Sequence, residues 1–507
     1  MSVRSARRAI SDSLQFAIDF LHNRHMPNSK ESTDNSETKP GWTEHLIWGG
    51  PCLGIVIGWA AFLLGLPKFQ AITVGITCST AIWWVFEVLP FGVSSLFPLA
   101  MFPLFGILDK TDVAKAFGSH LVLLLFGGFV LSKALEKSGA HKRIALTMVN
   151  LCGAGGGKTL VLGFMLAAFF LSMWISNAAT TLMMLPIALA VLSSTSDKKI
   201  VVPLLLGIAY AASCGGMGTP IGTTPNLAFM DAYQRATETE ITFLSWMVYA
   251  LPVSLTLMTI IWLWVTRNVS YRLDVDMPEV GKWRSEEIRT IAVFAVTALA
   301  WMTRKNPFGG WSSLPCFRFT ETGSGAYVTD GAVAFVAVIV MFCIPSGRKP
   351  GEKLLDWNTA RTIPWEMLIL VAAGISLGAG FEKSGLSDTI ANALGNLGGI
   401  HLLIIMFVIC LVVTFLTEMT SNTATANLLM PILAAAATVN EIPHGMIMFP
   451  AVISASCAFM LPVATIPNAV VFATGKVPIR KMTQEGIALN LIGAVIVPLG
   501  CYLFLRF

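Results

Sequence analysis

Two short polar strings stand in apolar surroundings: Ser176-Asn177-Ala178-Ala179-Thr180 and Ser421-Asn422-Thr423-Ala424-Thr425. Hydroxyl and carboxamide side chains are costly in a hydrophobic stretch unless something binds them. Amide and hydroxyl oxygens suit a hard cation, whereas hydroxyl protons, the Asn NH2 and a helix N-terminus suit a carboxylate or sulfate. Neither string contains Lys or Arg. An anion and a sodium ion sharing such a site each lower the cost of burying the other.

The strings belong to a larger repeat. Asn177 and Asn422 lie 245 residues apart, as do Pro186 and Pro431; Lys137 and Lys383, each within Glu-Lys-Ser-Gly, lie 246 apart, and Pro225-Asn226 and Pro467-Asn468 lie 242 apart. Four markers at nearly one offset describe a duplicated fold unit. A lone Ser-Asn pair is ordinarily interhelical glue; two copies at one offset, each followed by a broken helix, are a binding-site pattern.

Composition places these strings in a membrane. Of 507 residues 55% are hydrophobic and 12% charged, with mean hydropathy +0.70, against about 25% charged in soluble domains. The net charge of +5 implies no nucleic-acid partner. Most of the nine cysteines sit singly in apolar runs, without a disulfide or CxxC framework. Seven histidines without HExxH spacing offer no metal cluster, and no nucleophile with a base is visible, so the chain does not read as an enzyme. Gly153-Ala154-Gly155-Gly156-Gly157-Lys158-Thr159 imitates a phosphate loop, but Cys152 occupies its first glycine position and no strand precedes it.

The polar segment 1–44, basic at Arg4, Arg7, Arg8 and Arg24, reads as a cytoplasmic tail without the apolar core of a signal peptide. Beyond it, runs of about 20 apolar residues predict spans near 45–66, 71–90, 91–108, 117–137, 200–238, 244–266, 288–302, 331–345, 364–383, 446–475 and 485–505. With the tail inside, basic clusters after the fourth, sixth and eighth spans and before the last fall on the same side. The stretch from Lys158 to Lys199 then begins and ends inside, a re-entrant hairpin with Ser176-Asn177 at its tip. The stretch 400–440, without Lys or Arg at its ends, begins and ends outside, so the repeats are inverted. Gly215-Gly216-Met217-Gly218-Thr219-Pro220-Ile221-Gly222 and Leu461-Pro462-Val463-Ala464-Thr465-Ile466-Pro467 each break a span. Broken helices are tolerated at membrane depth only where they line a cavity or coordinate a ligand. Glu418, just before Ser421, reads as a capping or hydrogen-bonding acid, with cation or proton binding as the alternative; His120 and His401 receive no role.

The expected fold is an all-α polytopic membrane protein, an inverted-repeat transporter of about 11 transmembrane helices and two re-entrant hairpins. Its expected divisions are scaffold helices at 45–110, a first repeat core at 111–243 with hairpin 158–196 and broken helix 200–238, and scaffold helices and loops at 244–363. A second core at 364–482 follows, with hairpin 400–440 and broken helix 446–475, and then a last span at 483–507.

From Trp84 to the C-terminus these residues resemble the divalent anion/sodium symporters, which carry dicarboxylates, tricarboxylates or sulfate. The resemblance rests on the two tips within Leu171–Pro186 and Phe415–Pro431, on Gly216-Met217-Gly218-Thr219-Pro220 and on Leu461-Pro462-Val463-Ala464-Thr465. It implies a homodimeric elevator in the cell membrane, with sodium between each tip and its facing broken-helix loop. The sodium sites so implied use Ser172, Ser176, Asn177 and Gly222, and Thr417, Thr420, Asn422 and Ala464. The implied substrate contacts are Ser176, Asn177 and Thr223 with Ser421, Asn422, Thr423 and Thr465. No organic cofactor is implied. Ala178 departs from the Thr of the family's first tip, and Thr224 and Ile466 stand where close relatives often have Pro. Sodium symport of C4-dicarboxylates or citrate is the expected activity; a sodium-independent or proton-coupled exchanger of dicarboxylate or sulfate is the rival.

Overall fold

The computed structural model describes residues 42–153, 156–194, 197–269, 281–305, 309–314, 328–393 and 400–504. Nearly all of the predicted tail, Ala154 and Gly155 of the glycine-rich turn, and most of the 303–330 loop with Cys316 lie outside them. Apart from one isolated bridge, Pro345 to Lys353, the regular structure among the described residues is helical. Among the described residues, seven helices have the length and apolarity to cross a membrane.

The chain opens with α1 (Trp42–Leu63), α2 (Lys68–Val85), α3 (Leu96–Leu104), α4 (Lys110–Phe117) and α5 (His120–Ser138). After α6 (Ala140–Gly153) comes a helix pair, α7 (Gly157–Ser172) and α8 (Asn177–Ser194), and then two helices end to end, α9 (Val201–Met217) and α10 (Thr224–Thr237). Next are α11 (Phe243–Val265), α12 (Ser285–Met302) and α13 (Asp330–Cys343). The second repeat runs through α14 (Trp365–Ser384), α15 (Leu386–Ala393), the pair α16 (Leu402–Leu416) and α17 (Asn422–Val439), and the interrupted α18 (His444–Ala455) and α19 (Ile466–Phe472); α20 (Ile479–Phe504) closes the chain.

Local chemistry explains the repeat markers. The two Glu-Lys-Ser-Gly strings end α5 and α14, each on a glycine in the left-handed region, Gly139 at φ 76° and Gly385 at φ 74°, where a side chain would be strained. Pro186 and Pro431 lie inside the return arms α8 and α17. The tips are only the residues between paired helices, 173–176 and 417–421.

Ion pairs gather the loops at one end. Arg143 binds Glu287 at 2.6 Å and donates to the Gly281 and Lys282 carbonyls, and Arg284 donates to Ser138. Lys137 pairs with Asp356 at 2.8 Å; that ammonium and the Thr359 N–H hold the Asp356 carboxyl down at about 2. Trp262 donates to the Lys158 carbonyl at the base of α7, and Arg267 and Lys481 share Glu485. Far from them, Arg304 binds Asp330 and Glu240, joining the end of α12 to the start of α13.

The two helix pairs enter from opposite ends. The base of α7 and α8 lies beside α11 and α20 at the basic end, where Lys198, Lys199, Arg267 and Lys481 line one cavity. His401 caps the start of α16 with its ring 6.1 Å from that of Tyr502. Tyr502 is 21 residues beyond Lys481 on α20, or about 30 Å along the helix. The repeats are therefore inverted, as the charge pattern predicts.

Small residues let helices within a core touch. A Cβ on Gly215 of α9 would lie 2.1 Å from the Phe169 carbonyl of α7, a main-chain obstacle that cannot rotate away. We expect Gly215→Ala to cost about 1–3 kcal/mol, the usual overpacking penalty, while Gly49→Ala, whose nearest neighbour would be 3.8 Å away, is nearly neutral. Thermal unfolding of the detergent-solubilised protein checks this, and equal midpoints for the two variants would refute it.

Candidate substrate and cation site

Each tip asparagine is held by a hydroxyl five residues earlier. Asn177 Oδ1 accepts the Ser172 hydroxyl at 2.6 Å, and Asn422 Oδ1 accepts the Thr417 hydroxyl at 2.7 Å. Ser172 and Thr417 are fully buried, so each tip carries two hard oxygens at close quarters in a water-poor setting. Thr417 Oγ1 also reaches the Ala455 carbonyl at 2.8 Å. A Cβ on Gly216 would stand 2.6 Å from Asn177 Oδ1, so the first tip rests against the end of α9.

The broken helices are pinned by a matched pair of asparagines. Asn226 Nδ2 donates to the Gly216 and Thr219 carbonyls at 3.0 and 2.7 Å; Asn468 Nδ2 donates to the Ala458 and Leu461 carbonyls at 3.0 and 3.1 Å. Every residue in one set is 242 positions from its counterpart. Gly222 is held at the first break by its N–H to Thr219, and a Cβ there would meet the Gly216 carbonyl at 2.5 Å. Ala464 occupies the matching place, with its N–H on the Leu461 carbonyl at 3.3 Å.

A second pair of contacts joins tip to break with opposite polarity. Thr219 Oγ1 donates to the Met173 carbonyl at 2.5 Å, whereas at the corresponding positions the Glu418 carboxylate accepts from Leu461 N at 2.9 Å. Glu418 also accepts from Phe459 N, Met460 N and Asn490 Nδ2 at 2.7, 2.8 and 2.7 Å. With 1% exposure and four neutral donors, it is the hydrogen-bonding cap of the second break.

The repeats meet across the site. α10 packs on α17, and α8 on α19, so each broken helix leans on the other repeat's tip helix. The hydroxyls of Thr224 and Thr423 are hydrogen-bonded to each other at the first of these crossings. At the second, the positions matching them hold Ile466 and Ala178, which have no polar side-chain atom.

The remaining predicted residues lie as follows. Thr223 and Thr465 are the N-caps of α10 and α19, both extended, and Thr465 Oγ1 accepts from Asn468 N at 3.3 Å. Ser176 is exposed and accepts from Ala179 N; Ser421 is the N-cap of α17 without a side-chain capping bond. The Thr420 hydroxyl is engaged with the Leu416 carbonyl and with Thr425 at 3.0 and 2.5 Å. Ile175 stands at the matching place in the first repeat, and the Thr180 hydroxyl there is buried without a partner.

Sequence reasoning missed Asn490 and the role of Asn226 and Asn468. The duplicated Pro-Asn was a usable signal for the latter two; nothing local marks Asn490.

The transmembrane region of sodium:sulfate symporters matches residues 53–504. The sodium-dependent dicarboxylate transporter SdcS of Staphylococcus saprophyticus is 35% identical over 485 residues, 89% of this chain and 91% of that one, and SdcS of Staphylococcus aureus is 36% identical over the same shares. Among solved structures, the YdaH transporter of Alcanivorax borkumensis is similar with a TM-score of 0.53 at 15% identity, covering 78% of this chain and 87% of that one. MtrF of Neisseria gonorrhoeae gives 0.52 at 17%, covering 76% and 82%. These two likenesses speak to the fold alone. With its tips, breaks and inverted repeats inside a match that runs over nearly all of its spans, the chain belongs to the sodium:sulfate symporter family of membrane transporters.

Proposed function

We propose that this protein is a sodium-coupled symporter of divalent organic anions, with C4-dicarboxylates such as succinate, malate and fumarate as its substrates. The observation that carries the reading is the duplicated oxygen pair, Ser172 with Asn177 and Thr417 with Asn422. Each pair lies beside a helix break that supplies main-chain carbonyls. The names of the staphylococcal relatives agree with it.

In this reading one sodium is taken by Ser172, Ser176, Asn177 and Gly222, and another by Thr417, Thr420 through its carbonyl, Asn422 and Ala464. The anion lies between the tips against Ser176, Asn177 and Thr223 on one side and Ser421, Asn422, Thr423 and Thr465 on the other. The N-termini of α8 and α17 add their N–H groups. We add Thr224 to that wall, since of two hydroxyls bonded to each other one proton remains for the substrate.

The basic end is cytoplasmic, so the N-terminus is inside and the C-terminus outside the cell membrane. Two such chains form a homodimer whose scaffold helices hold the moving cores, an elevator. Uptake of radiolabelled succinate, citrate and sulfate into proteoliposomes, with and without a sodium gradient, tests the function. Uptake indifferent to sodium would favour the exchanger.

Three outcomes are expected. Asn177→Ala and Asn422→Ala should each abolish sodium-coupled uptake in a folded protein, because each removes the amide oxygen of one pair; unaltered sodium dependence in both would take the tips out of the cation sites. Ala178→Thr adds a hydroxyl at the unpaired crossing. Since a hydrogen bond to a charged group contributes about 1.5–3 kcal/mol, succinate, malate or citrate affinity should change roughly 10- to 100-fold, and identical kinetics for all would place Ala178 away from the substrate. Finally, in a cysteine-depleted background, an impermeant thiol reagent outside intact cells should label Asn440→Cys at the base of the second pair and spare Ser193→Cys at the base of the first; labelling of both would overturn the orientation.

A further inference from the structure

At the basic end, away from the tips, α11 and α20 enclose with the start of α9 a cavity of about 510 Å³. Four cations line it, Lys198, Lys199, Arg267 and Lys481, against one carboxylate, Glu485, an excess of three positive charges among the lining side chains. Glu485 is already crowded with donors: Trp264 Nε1 at 2.7 Å, Arg267 at 2.8 Å and Lys481 at 2.8 Å. The guanidinium of Arg267 lies 4.4 Å over the Trp264 ring, so this side of the cavity is fixed in advance. Lys198 and Lys199 stand opposite on the short turn Lys198–Ile200, both exposed, and no carboxylate among the described residues comes within 4 Å of either ammonium. The nearest acid in sequence, Asp197, caps that turn through the Lys199 N–H at 2.9 Å.

Apart from Asn268, the rest of the wall is apolar: Val202, Pro203 and Leu206 on α9 and Val265 on α11. Beside it, Ile487, Leu491 and Val495 form an exposed stripe up α20 at helical spacing, the kind of face that meets acyl chains in a bilayer. A basic rim over an apolar wall at the end of spanning helices matches an amphiphile with a phosphate head.

We propose that this cavity binds the phosphate headgroup of an anionic phospholipid, its acyl chain lying along α20. The phosphate engages Lys198 and Lys199 first, because Arg267 and Lys481 are partly neutralised by Glu485. The three helices so joined include α20, which carries Asn490 to Glu418, so an occupied cavity braces the helix behind the second break.

Binding of dioctanoyl phosphatidylglycerol, dioctanoyl phosphatidylcholine and inorganic phosphate to the full-length detergent-solubilised protein, read by thermal shift and native mass spectrometry, tests the proposal without relying on transport. Phosphatidylglycerol should bind and raise the unfolding midpoint, and phosphatidylcholine should do so far less. Lys198→Gln with Lys199→Gln should weaken phosphatidylglycerol roughly 20- to 30-fold, at about fivefold per lysine, while Lys198→Arg with Lys199→Arg retains it. Should the glutamine variant not fold, the affinity of the unmodified protein for phosphatidylglycerol must still fall with ionic strength. Equal affinity for the two lipids, or salt-independent binding, or no loss in the glutamine variant sinks the idea. A full shift from inorganic phosphate alone would overturn the lipid and point to a soluble phosphate compound.

Discussion

A helix that stops in mid-membrane leaves peptide N–H and C=O groups with no water to satisfy them, and each unsatisfied group costs several kcal/mol there. That constraint is met twice in this protein by the same device. Asn226 and Asn468, placed just after the breaks, each reach back to two carbonyls at or within the break. The duplicated Pro-Asn thus has a physical content: Pro225 and Pro467 start the second half-helix, where a missing N–H costs nothing, and the next side chain closes the gap behind it. With the breaks held in this way, the tips have a fixed surface to meet.

The two halves are not copies in chemistry. Where Thr219 lends a side-chain proton to the first tip, Glu418 takes three main-chain protons from the second break. Both solutions connect the same two positions of the repeat, with the donor on opposite sides. The first is neutral and compact and goes with glycine at 216 and 222; the second places a buried charge that needs four donors, and alanine fits at 458 and 464. A similar division runs across the site, with two hydroxyls at one crossing and only carbon at the other. An internal duplication has kept the geometry and let the polarity of each half diverge.

The repeat, the tips and the breaks were legible in the sequence because each depends on residues close together in the chain and appears twice at one offset. The inverted arrangement was legible as well, since Lys and Arg gather on one side of the spans, and the Arg143 and Lys137 contacts show those loops to be neighbours. Contacts between repeats were not. Thr224 was visible as a departure from pattern, but its bond to Thr423 crosses 199 residues, and an offset of 242 or 245 aligns each residue with its copy, never with its partner. Asn490 was invisible for the same reason: it lies in a span without a polar neighbour pattern, and only the approach of α20 to Glu418 gives it work. Thr420 was named only through the family resemblance, and its hydroxyl is engaged by the local helix.

The character of the site bears on coupling. Apart from Glu418, whose carboxylate accepts four hydrogen bonds, the side chains at both tips and both breaks are neutral. A dianion placed there alone would carry its full charge into a low-dielectric interior, a state opposed by many kcal/mol before any contact is made. Sodium at the two oxygen pairs, as proposed, would remove most of that charge within a few ångströms. Under the proposed function, a site without lysine or arginine would hold a dicarboxylate only in sodium's company, so coupling would follow from what the tips lack as much as from what they contain. An exchanger would need fixed positive charge in their place, and among the described residues neither the tips nor the breaks hold Lys or Arg; the Arg143 and Arg304 networks lie at loop ends.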